Sequence, residues 1–292
     1  MISNSDDNSL IAAGRGREEG GRGGRMDGVP EGDTVWLASK RMHEALAGRM
    51  LTRFDLRVPR HATADLAGRS VVEVLPRGKH MLTRLDGALT LHTHFKMDGT
   101  WQLGRPGERW RGPAHQVRVV LANAEWEAVG YRLHEVLLLP TAEESRVVGH
   151  LGPDVLGPDW DPAEAVRRLA EQPDREIGQA LLDQRNLAGV GNLYRAETLF
   201  LCGVSPFSPV SAVPDLDRVV ATAHRLMRAN RDHPEQSTTG SLRRGETHWV
   251  HGRPGRPCRR CGSTVSAGPA GPPPYHRIAY WCPTCQPLRR ES

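Results

Sequence analysis

The sequence lacks the features that would place the protein in or beyond a membrane. It has no uninterrupted apolar run of the roughly 18 residues that a spanning helix requires. Its opening stretch, SNSDDNSLIAAG, is acidic and only briefly apolar, unlike the basic and then apolar layout of a secretory signal. Cysteine is scarce, with five residues among 292. We therefore expect a cytoplasmic protein with reduced cysteines and no membrane partner.

Acidic residues are outnumbered, which leaves a net charge of +5 from 39 Lys and Arg against 34 Asp and Glu. The excess lies in residues 30–292, because residues 1–29 are slightly acidic. Arginine is concentrated in the last fifth of the chain, in SLRRGE, HGRPGRP and PCRRCG. A basic surface favours a polyanionic partner such as DNA, although many basic proteins bind none.

The first half of the chain predicts a leader, a helix and a sheet domain. Residues 1–29 are rich in Gly, Arg and Asp and should be disordered. Residues 31–49 predict an amphipathic helix with Asp33 or Thr34 as its cap and Gly48 as its stop. Its buried stripe would consist of Val35, Ala38, Met42, Ala45 and Leu46.

Short β segments follow over residues 50–139. They are MLTRFDLRV, VVEVL, KHMLTRL, ALTLHTHF, HQVRVVLA and LHEVLLL. Six or more such strands favour a β-sandwich. Beyond a bridge at residues 141–160, apolar periodicity predicts four helices, DPAEAVRRLAEQ, EIGQALLDQ, NLYRAETLFLCG and PDLDRVVATAHRLMRANR. The fold class is therefore α+β.

Four of the five cysteines form two C-x-x-C pairs near the end of the chain. Cys258 and Cys261 are separated by twenty residues from Cys282 and Cys285, which is the spacing of a four-cysteine zinc site. A tail so rich in Gly and Pro cannot build a core, so a bound Zn²⁺ would supply its folding energy. The alternative is a chance pair of C-x-x-C sequences. The fifth cysteine, Cys202, should be a buried apolar residue of a helix.

The stretch LLDQRNLAGVGNLYRAETLF at residues 181–200 has the pattern of two helices joined by a glycine-containing turn. Backbone N–H groups at the start of the second helix, together with the Asn192 side chain, would make a seat for a phosphate. An ordinary helical hairpin with no ligand is the alternative interpretation.

These stretches together resemble the family of bifunctional DNA glycosylase/lyases that comprises formamidopyrimidine-DNA glycosylase and endonuclease VIII. The matching stretches are PEGDTV at 30–35, RGKHMLTRL at 77–85, HFKMDGTW at 94–101, LGPDVLG at 151–157, LLDQRNLAGVGNLYRAE at 181–197, GRPGRPCRRCG at 252–262 and YWCPTCQ at 280–286. They cover nearly all of residues 30–286 in the family's order, and the PEGDTVW opening is most similar to the endonuclease VIII-like branch.

The resemblance implies a helix plus β-sandwich domain, a helix–two-turn–helix domain and a zinc finger, with DNA in the cleft between the domains. The expected divisions are a leader absent from the mature protein (1–29), the N-terminal catalytic domain (30–140), a linker (141–160), the helix–two-turn–helix domain (161–249), the zinc finger (250–286) and a tail (287–292). We expect a monomer that acts on double-stranded DNA containing damaged bases or abasic sites.

The family's nucleophile is an N-terminal proline, and the matching residue here is Pro30. An internal proline nitrogen is a tertiary amide whose lone pair is delocalised, so it cannot form a Schiff base while Val29 acylates it. Valine can be encoded by GTG, which also serves as a bacterial start codon. We therefore expect translation to start at position 29 and removal of the initiator to expose Pro30.

The resemblance assigns three more catalytic roles. Glu31 would be the proton donor at the sugar, although a carboxylate at a helix N-terminus is also favoured by the helix dipole. Lys79 would serve β-elimination, whereas a lone strand lysine is usually a solvated charge. Arg277, on the strand before the second C-x-x-C pair, would grip the phosphates beside the lesion and aid δ-elimination.

The resemblance also assigns three DNA contacts. Asn192 would bind a phosphate, and Met97 would fill the gap left by an everted base, with core packing as its alternative. Lys96 would contact the same backbone. The expected activity is removal of oxidised bases, pyrimidines first and 8-oxoguanine as the alternative, followed by β,δ-elimination. A non-catalytic DNA-damage-binding protein is the competing hypothesis.

Overall fold

The computed structural model describes residues 30–271 and 276–289. The expected leader at residues 1–29 lies outside the described residues. Within them, no helix is long and apolar enough to cross a bilayer.

The chain begins with helix α1 (Gly32–Leu46), which packs on a β-sandwich. The strands are β1 (Arg53–Leu56), β2 (Val71–Arg77), β3 (His80–Leu85), β4 (Leu89–His94), β5 (Thr100–Gly104), β6 (Val117–Ala122), β7 (Glu127–Tyr131) and β8 (Glu135–Pro140). They form two antiparallel four-stranded sheets of order β2-β3-β4-β8 and β1-β6-β7-β5. The first core lies between these sheets and α1.

A helical domain follows. Its helices are α2 (Ser145–Val148), α3 (Pro162–Ala170), α4 (Ile177–Ala180), α5 (Asn192–Cys202) and α6 (Leu216–Asn230). Four single-turn 3₁₀ helices complete the helical inventory of the described residues, at Pro59–His61, Ala114–Gln116, Thr141–Glu143 and Val210–Ala212. Helices α3, α5 and α6 enclose a second apolar core. The chain ends in an antiparallel hairpin of β9 (Ser266–Ala270) and β10 (Arg277–Trp281).

The predicted stripe of α1 is buried, with all five of its residues in the first core. The predicted cap was wrong, because Glu31 occupies the N-cap position, without capping α1 through its side chain. The predicted stop is confirmed, since α1 ends at Leu46, Ala47 is its C-cap, and Gly48 follows with φ of +73°. The side chain of Asp33 cannot serve as a cap because it is buried and bonded to other residues.

Two strands of the second sheet, β5 and β7, were not predicted. Strand β7 is buried along its whole length, so it shows no alternation, and β5 buries only one of its five residues. The second predicted helix of the helical domain shrinks to the four residues of α4. Cys202 lies on a helix and packs against the second core, as expected, but it is only half-buried, with its thiol 3.6 Å from Thr222 Oγ1.

A buried carboxylate joins the sandwich to the helical domain. Asp154 accepts a hydrogen bond at 2.7 Å from the backbone N–H of Gly78, in the β2–β3 turn, and another at 3.1 Å from Leu156. Gly78 has φ of +58°, a conformation that favours glycine. Nearby, Arg77 forms an ion pair with the exposed Asp159 at 3.1 Å. The β2–β3 turn is therefore fixed to the second domain by Asp154.

Replacing Asp154 by alanine should destabilise the protein by about 1–3 kcal/mol, because it leaves the buried Gly78 N–H without an acceptor. Asp159→Ala is the matched control. It removes an exposed ion pair and should cost less than about 1 kcal/mol. Urea denaturation of both variants measures the difference, and equal losses would contradict the role given to Asp154.

Candidate active site

The centre of the site is a carboxylate seated on the start of a distant helix. Glu31 is 1% exposed, and its oxygens accept hydrogen bonds from the backbone N–H groups of Gly191 (2.8 Å), Leu193 (2.7 Å) and Tyr194 (3.4 Å). These are amides of the N-cap residue and the first turn of α5, which have no partner within the helix. The helix dipole adds positive potential at this end. The start of α1 and the start of α5 therefore meet at one carboxylate.

Glycines make this approach possible. The N–H of Gly32 donates to the carbonyl of Gly189 at 3.0 Å, and Gly189 adopts φ of +104°. A Cβ at Gly32 would lie 2.9 Å from the Gly189 Cα, and a Cβ at Gly191 would overlap the Glu31 carboxylate. The glycines of the G-V-G sequence are thus required for two reasons: Gly191 leaves room for the Glu31 carboxylate, and Gly189 adopts the conformation of the turn.

A second buried carboxylate lies behind the first. Asp33 is 2% exposed and accepts hydrogen bonds from the Tyr194 hydroxyl at 2.6 Å and from Gln236 Nε2 at 3.0 Å. Tyr194 therefore contacts both acids, through its backbone N–H to Glu31 and through its hydroxyl to Asp33. Burial raises the pKa of Asp33.

Burial also raises the pKa of Glu31 to about 7. The charge of Lys79 lowers this pKa and that of Asp33 raises it, while the amides of Leu193 and Gly191 lower it. A carboxyl group with this pKa is partly protonated at neutral pH and can donate or accept a proton.

Lys79 projects from the β2–β3 turn into the same site. Its Nζ donates to the Val190 carbonyl at 2.7 Å, and Gln184 Nε2 donates to the same carbonyl at 2.9 Å. Burial lowers the pKa of Lys79, an effect that the charge of Glu31 opposes and that of Arg277 reinforces. An amine of lowered pKa is suited to exchanging protons.

Pro30 is half-buried and directly precedes Glu31. Its covalent neighbour Val29 lies outside the described residues. The first described residue is therefore tied covalently to Glu31, whose carboxylate is fixed on α5.

The side chains of Arg277 and Met97 are in contact on the surface of the protein. Arg277 is exposed at the start of β10, and its Nη1 lies 3.9 Å from Met97 Sδ. Met97 is 60% exposed, so it is not the core residue of the alternative interpretation. Its neighbour Lys96 has φ of +53° and forms an ion pair with Glu135 at 2.7 Å.

Asn192 is the first residue of α5, as predicted, but the phosphate seat expected around it is not available as described. The amides that would line it are bonded to Glu31. The Asn192 side chain remains at the site, where its Oδ1 accepts from Arg195 Nη2 at 2.5 Å.

The four paired cysteines converge. Their sulfur atoms all lie within 4.8 Å of one another. The Cys258–Cys285 distance is 3.9 Å and the Cys261–Cys282 distance is 3.5 Å. Thiolates about 2.3 Å from a tetrahedral Zn²⁺ would be about 3.8 Å apart, so the group fits a metal ion. Gln286 joins it to the loop that follows α5 by accepting from Cys282 N and donating to the Val204 carbonyl.

Three polar side chains of the site were not predicted. They are Gln184, Arg195 and Gln236. The sequence could have predicted Arg195, because the apolar stretch NLYRAETLF carries two charged residues, and a helix with so many apolar residues must bury them. The second of them, Glu197, accepts from the backbone N–H groups of Trp249, Val250 and His251 and so anchors the entry to the cysteine hairpin.

A group of histidines next to Lys79 was also missed. His80 and His94 stack with ring centroids 4.3 Å apart, and His80 Nδ1 lies 2.8 Å from His92 Nε2. Burial lowers the pKa of His80 to about 2 and that of His94 to about 4, so these rings are neutral at pH 7.

Two family models match the chain. The formamidopyrimidine-DNA glycosylase N-terminal domain matches residues 29–135, and the H2TH domain of the same enzyme matches residues 151–239. The chain belongs to the formamidopyrimidine-DNA glycosylase family.

Curated members of the family match along most of their length. A protein named probable endonuclease 8 2 from Streptomyces coelicolor is 56% identical over 88% of this chain and 94% of its own. A protein from Mycolicibacterium smegmatis named DNA-(apurinic or apyrimidinic site) lyase Nei2 is 45% identical over 88% of this chain and 99% of its own.

Solved structures of the family show the same fold. The formamidopyrimidine-DNA glycosylase of Lactococcus lactis, bound to DNA with an abasic site, superimposes with a TM-score of 0.74 at 18% identity. The match covers 88% of this chain and 99% of that one. At this identity the likeness establishes the architecture of sandwich, helical domain and cysteine hairpin.

Titration of the Glu31 carboxyl by ¹³C NMR should give a midpoint near 7. Asp33→Asn should lower this midpoint by removing a negative charge, and Lys79→Met should raise it by removing a positive one. Asp55→Asn, whose ion pairs are with Arg53 and Arg57 on β1 and the turn after it, is the control and should leave it unchanged. A midpoint near the ordinary value of about 4.3 would contradict the electrostatic account of the site.

Proposed function

We propose that this protein is a base-excision repair enzyme that removes oxidised bases from DNA and then cleaves the strand at the abasic site. The observation that carries the proposal is the meeting of Glu31 and Lys79 at residues 190–194, with Pro30 as the residue before Glu31. An acid with a pKa near 7 and an amine of lowered pKa suit the proton transfers of such a reaction. Relatives named endonuclease 8 and DNA-(apurinic or apyrimidinic site) lyase support the assignment.

The proposed nucleophile is the Pro30 nitrogen. It attacks C1′ of the damaged nucleotide, the glycosidic bond breaks, and the base leaves with the proton that the amine gives up. Opening of the sugar ring then gives an iminium ion between Pro30 and C1′. An acylated proline nitrogen cannot do this, so we propose that translation begins at Val29 and that removal of the initiator frees Pro30. The family match supports this because it begins at residue 29.

Glu31 and Lys79 would move the protons. The protonated Glu31 donates to the ring oxygen of the sugar as the C1′–O bond opens. A free α-amino group has a pKa of roughly 8, so a useful fraction is neutral near pH 7, where Glu31 is partly protonated. Lys79 would then serve the β-elimination that cuts the strand.

The surface around Arg277 and Met97 is the proposed place of the DNA. Arg277 would bind the phosphates on either side of the lesion and assist δ-elimination, and Asn192 and Lys96 would bind neighbouring phosphates. The exposed Met97 would enter the space left by the everted base, which offsets part of the lost stacking.

The cysteine hairpin is the proposed holder of Arg277. Cys258, Cys261, Cys282 and Cys285 would bind one structural Zn²⁺, which supplies folding energy to a segment with little core of its own. Phe200 and Val265 pack beside the cysteines, so the hairpin is also fixed to α5.

The proposed substrates are oxidised pyrimidines in double-stranded DNA, bound by a monomer. The resemblance to the endonuclease VIII-like branch favours this class over 8-oxoguanine. A panel of duplexes that each carry one lesion decides between them, since the favoured class should be excised fastest. The competing function is damage binding without catalysis, which would follow if Pro30 were never a free amine.

Borohydride reduction on abasic DNA tests the proposal. Protein that starts at Pro30, verified by mass spectrometry, should give a covalent adduct whose peptide map places the DNA on Pro30. Acetylation of its N-terminus should abolish the adduct, and Pro30→Gly should weaken it. Protein verified as intact from Met1 should give none. If the intact chain gave an adduct of equal yield, the assignment of Pro30 as the nucleophile would be wrong. If neither form gave an adduct, the competing function of damage binding without catalysis would be favoured.

A further inference from the structure

Arg195 is a fully buried arginine between the proposed DNA contacts. It lies in the first turn of α5 with none of its surface exposed. Its Nη2 donates to Asn192 Oδ1 at 2.5 Å and to the backbone carbonyl of Ile278 at 2.8 Å. Ile278 directly follows Arg277 in β10. One guanidinium nitrogen therefore connects the start of the helix to the start of the hairpin strand.

This position is unfavourable for a positive charge. The N-terminal end of a helix dipole repels cations, and burial lowers the pKa of Arg195 to about 10. The charges of Glu31 and Glu176 offset part of this effect. Its Nε and Nη1 have no hydrogen-bond partner among the described residues. A buried polar group left so incompletely satisfied costs stability, so its presence points to a role other than stability.

The carbonyl that Arg195 binds lacks a donor from the hairpin. Ile278 lies opposite Pro269 in the antiparallel register. If the Ile278 carbonyl faces β9, the residue opposite has no N–H to offer, and if it faces away it lies on the open edge of a two-stranded sheet. In both cases Arg195 provides a hydrogen bond that the ladder does not.

We propose that Arg195 is a positioning residue that holds Asn192 and the start of β10, and with it Arg277, at one fixed relative placement. Asn192 and Arg277 belong to different domains of the structure, yet they must reach phosphates whose spacing is set by DNA. A single buried donor shared between them fixes that spacing before DNA arrives. The inference rests on the proposed function, because it takes both residues as phosphate contacts.

The test is a mutant cycle that measures binding alone. The probe is a duplex with a tetrahydrofuran abasic analogue, which cannot form the Schiff base. Arg195→Met should weaken binding roughly tenfold in the wild-type background, the worth of a charge-assisted hydrogen bond. In the Asn192→Ala/Arg277→Ala background the same change should cost no more than about twofold, since the contacts that it positions are gone.

Glu197→Gln is the matched control. Glu197 is equally buried on α5 and also holds the cysteine hairpin, but through residues 249–251 and not through β10. Its variant removes a contact to the entry of the hairpin and none to Asn192 or β10, so the difference between its two factors should be smaller than that of Arg195→Met. Arg195→Lys keeps a charged donor and should therefore lose less affinity than Arg195→Met. If Arg195→Met does not fold, Arg195→Lys takes its place in the mutant cycle.

The outcomes are distinct. If Arg195→Met costs the same factor in both backgrounds, its role is structural and the inference is wrong. If Arg195→Met binds like the wild type, the inference is also wrong. If Asn192→Ala/Arg277→Ala itself leaves binding unchanged, the DNA contacts of the proposed function fail first.

Discussion

The seat of the Glu31 carboxylate on the first turn of α5 is the interaction on which the rest of the site depends. It joins two segments that are 160 residues apart in sequence. The contact satisfies helix amides that would otherwise need water, and it takes a carboxyl group out of solvent. The same burial that fixes the position of Glu31 raises its pKa into the range where a proton can be transferred at neutral pH.

Helix α5 organises more than this one acid. Successive buried polar residues point from it toward each part of the molecule: Tyr194 to Asp33 of α1, Arg195 to β10, and Glu197 to the entry of the cysteine hairpin. Each would be costly in isolation, because burying a polar group is favourable only when its hydrogen bonds are made. The helix therefore specifies the relative placement of the sandwich, the helical domain and the hairpin, and through it the spacing of the site.

Sequence patterns predicted the parts of this arrangement that depend on local chemistry. The stripe of α1 follows from a 3.6-residue period, and the convergence of the four cysteines follows from their spacing. The partner of Glu31 could not be found in this way, since no local pattern connects residue 31 to residues 191–194. The expected phosphate seat failed for the same reason: free helix amides attract any anion, and the chain supplies one itself. Strand β7 was missed because full burial removes the alternation that marks a strand.

The most direct measurement of the central contact is the single-turnover rate of base excision by Gly191→Ala in protein that starts at Pro30. The added methyl group overlaps the Glu31 carboxylate while the backbone conformation stays accessible to alanine. Gly268→Ala is the control, because its nearest neighbours are Trp281 ring atoms at 3.6 Å. The account predicts a rate about 100-fold lower for Gly191→Ala, with binding of abasic-analogue DNA retained and the control unaffected. A Gly191→Ala enzyme with the wild-type rate would contradict it.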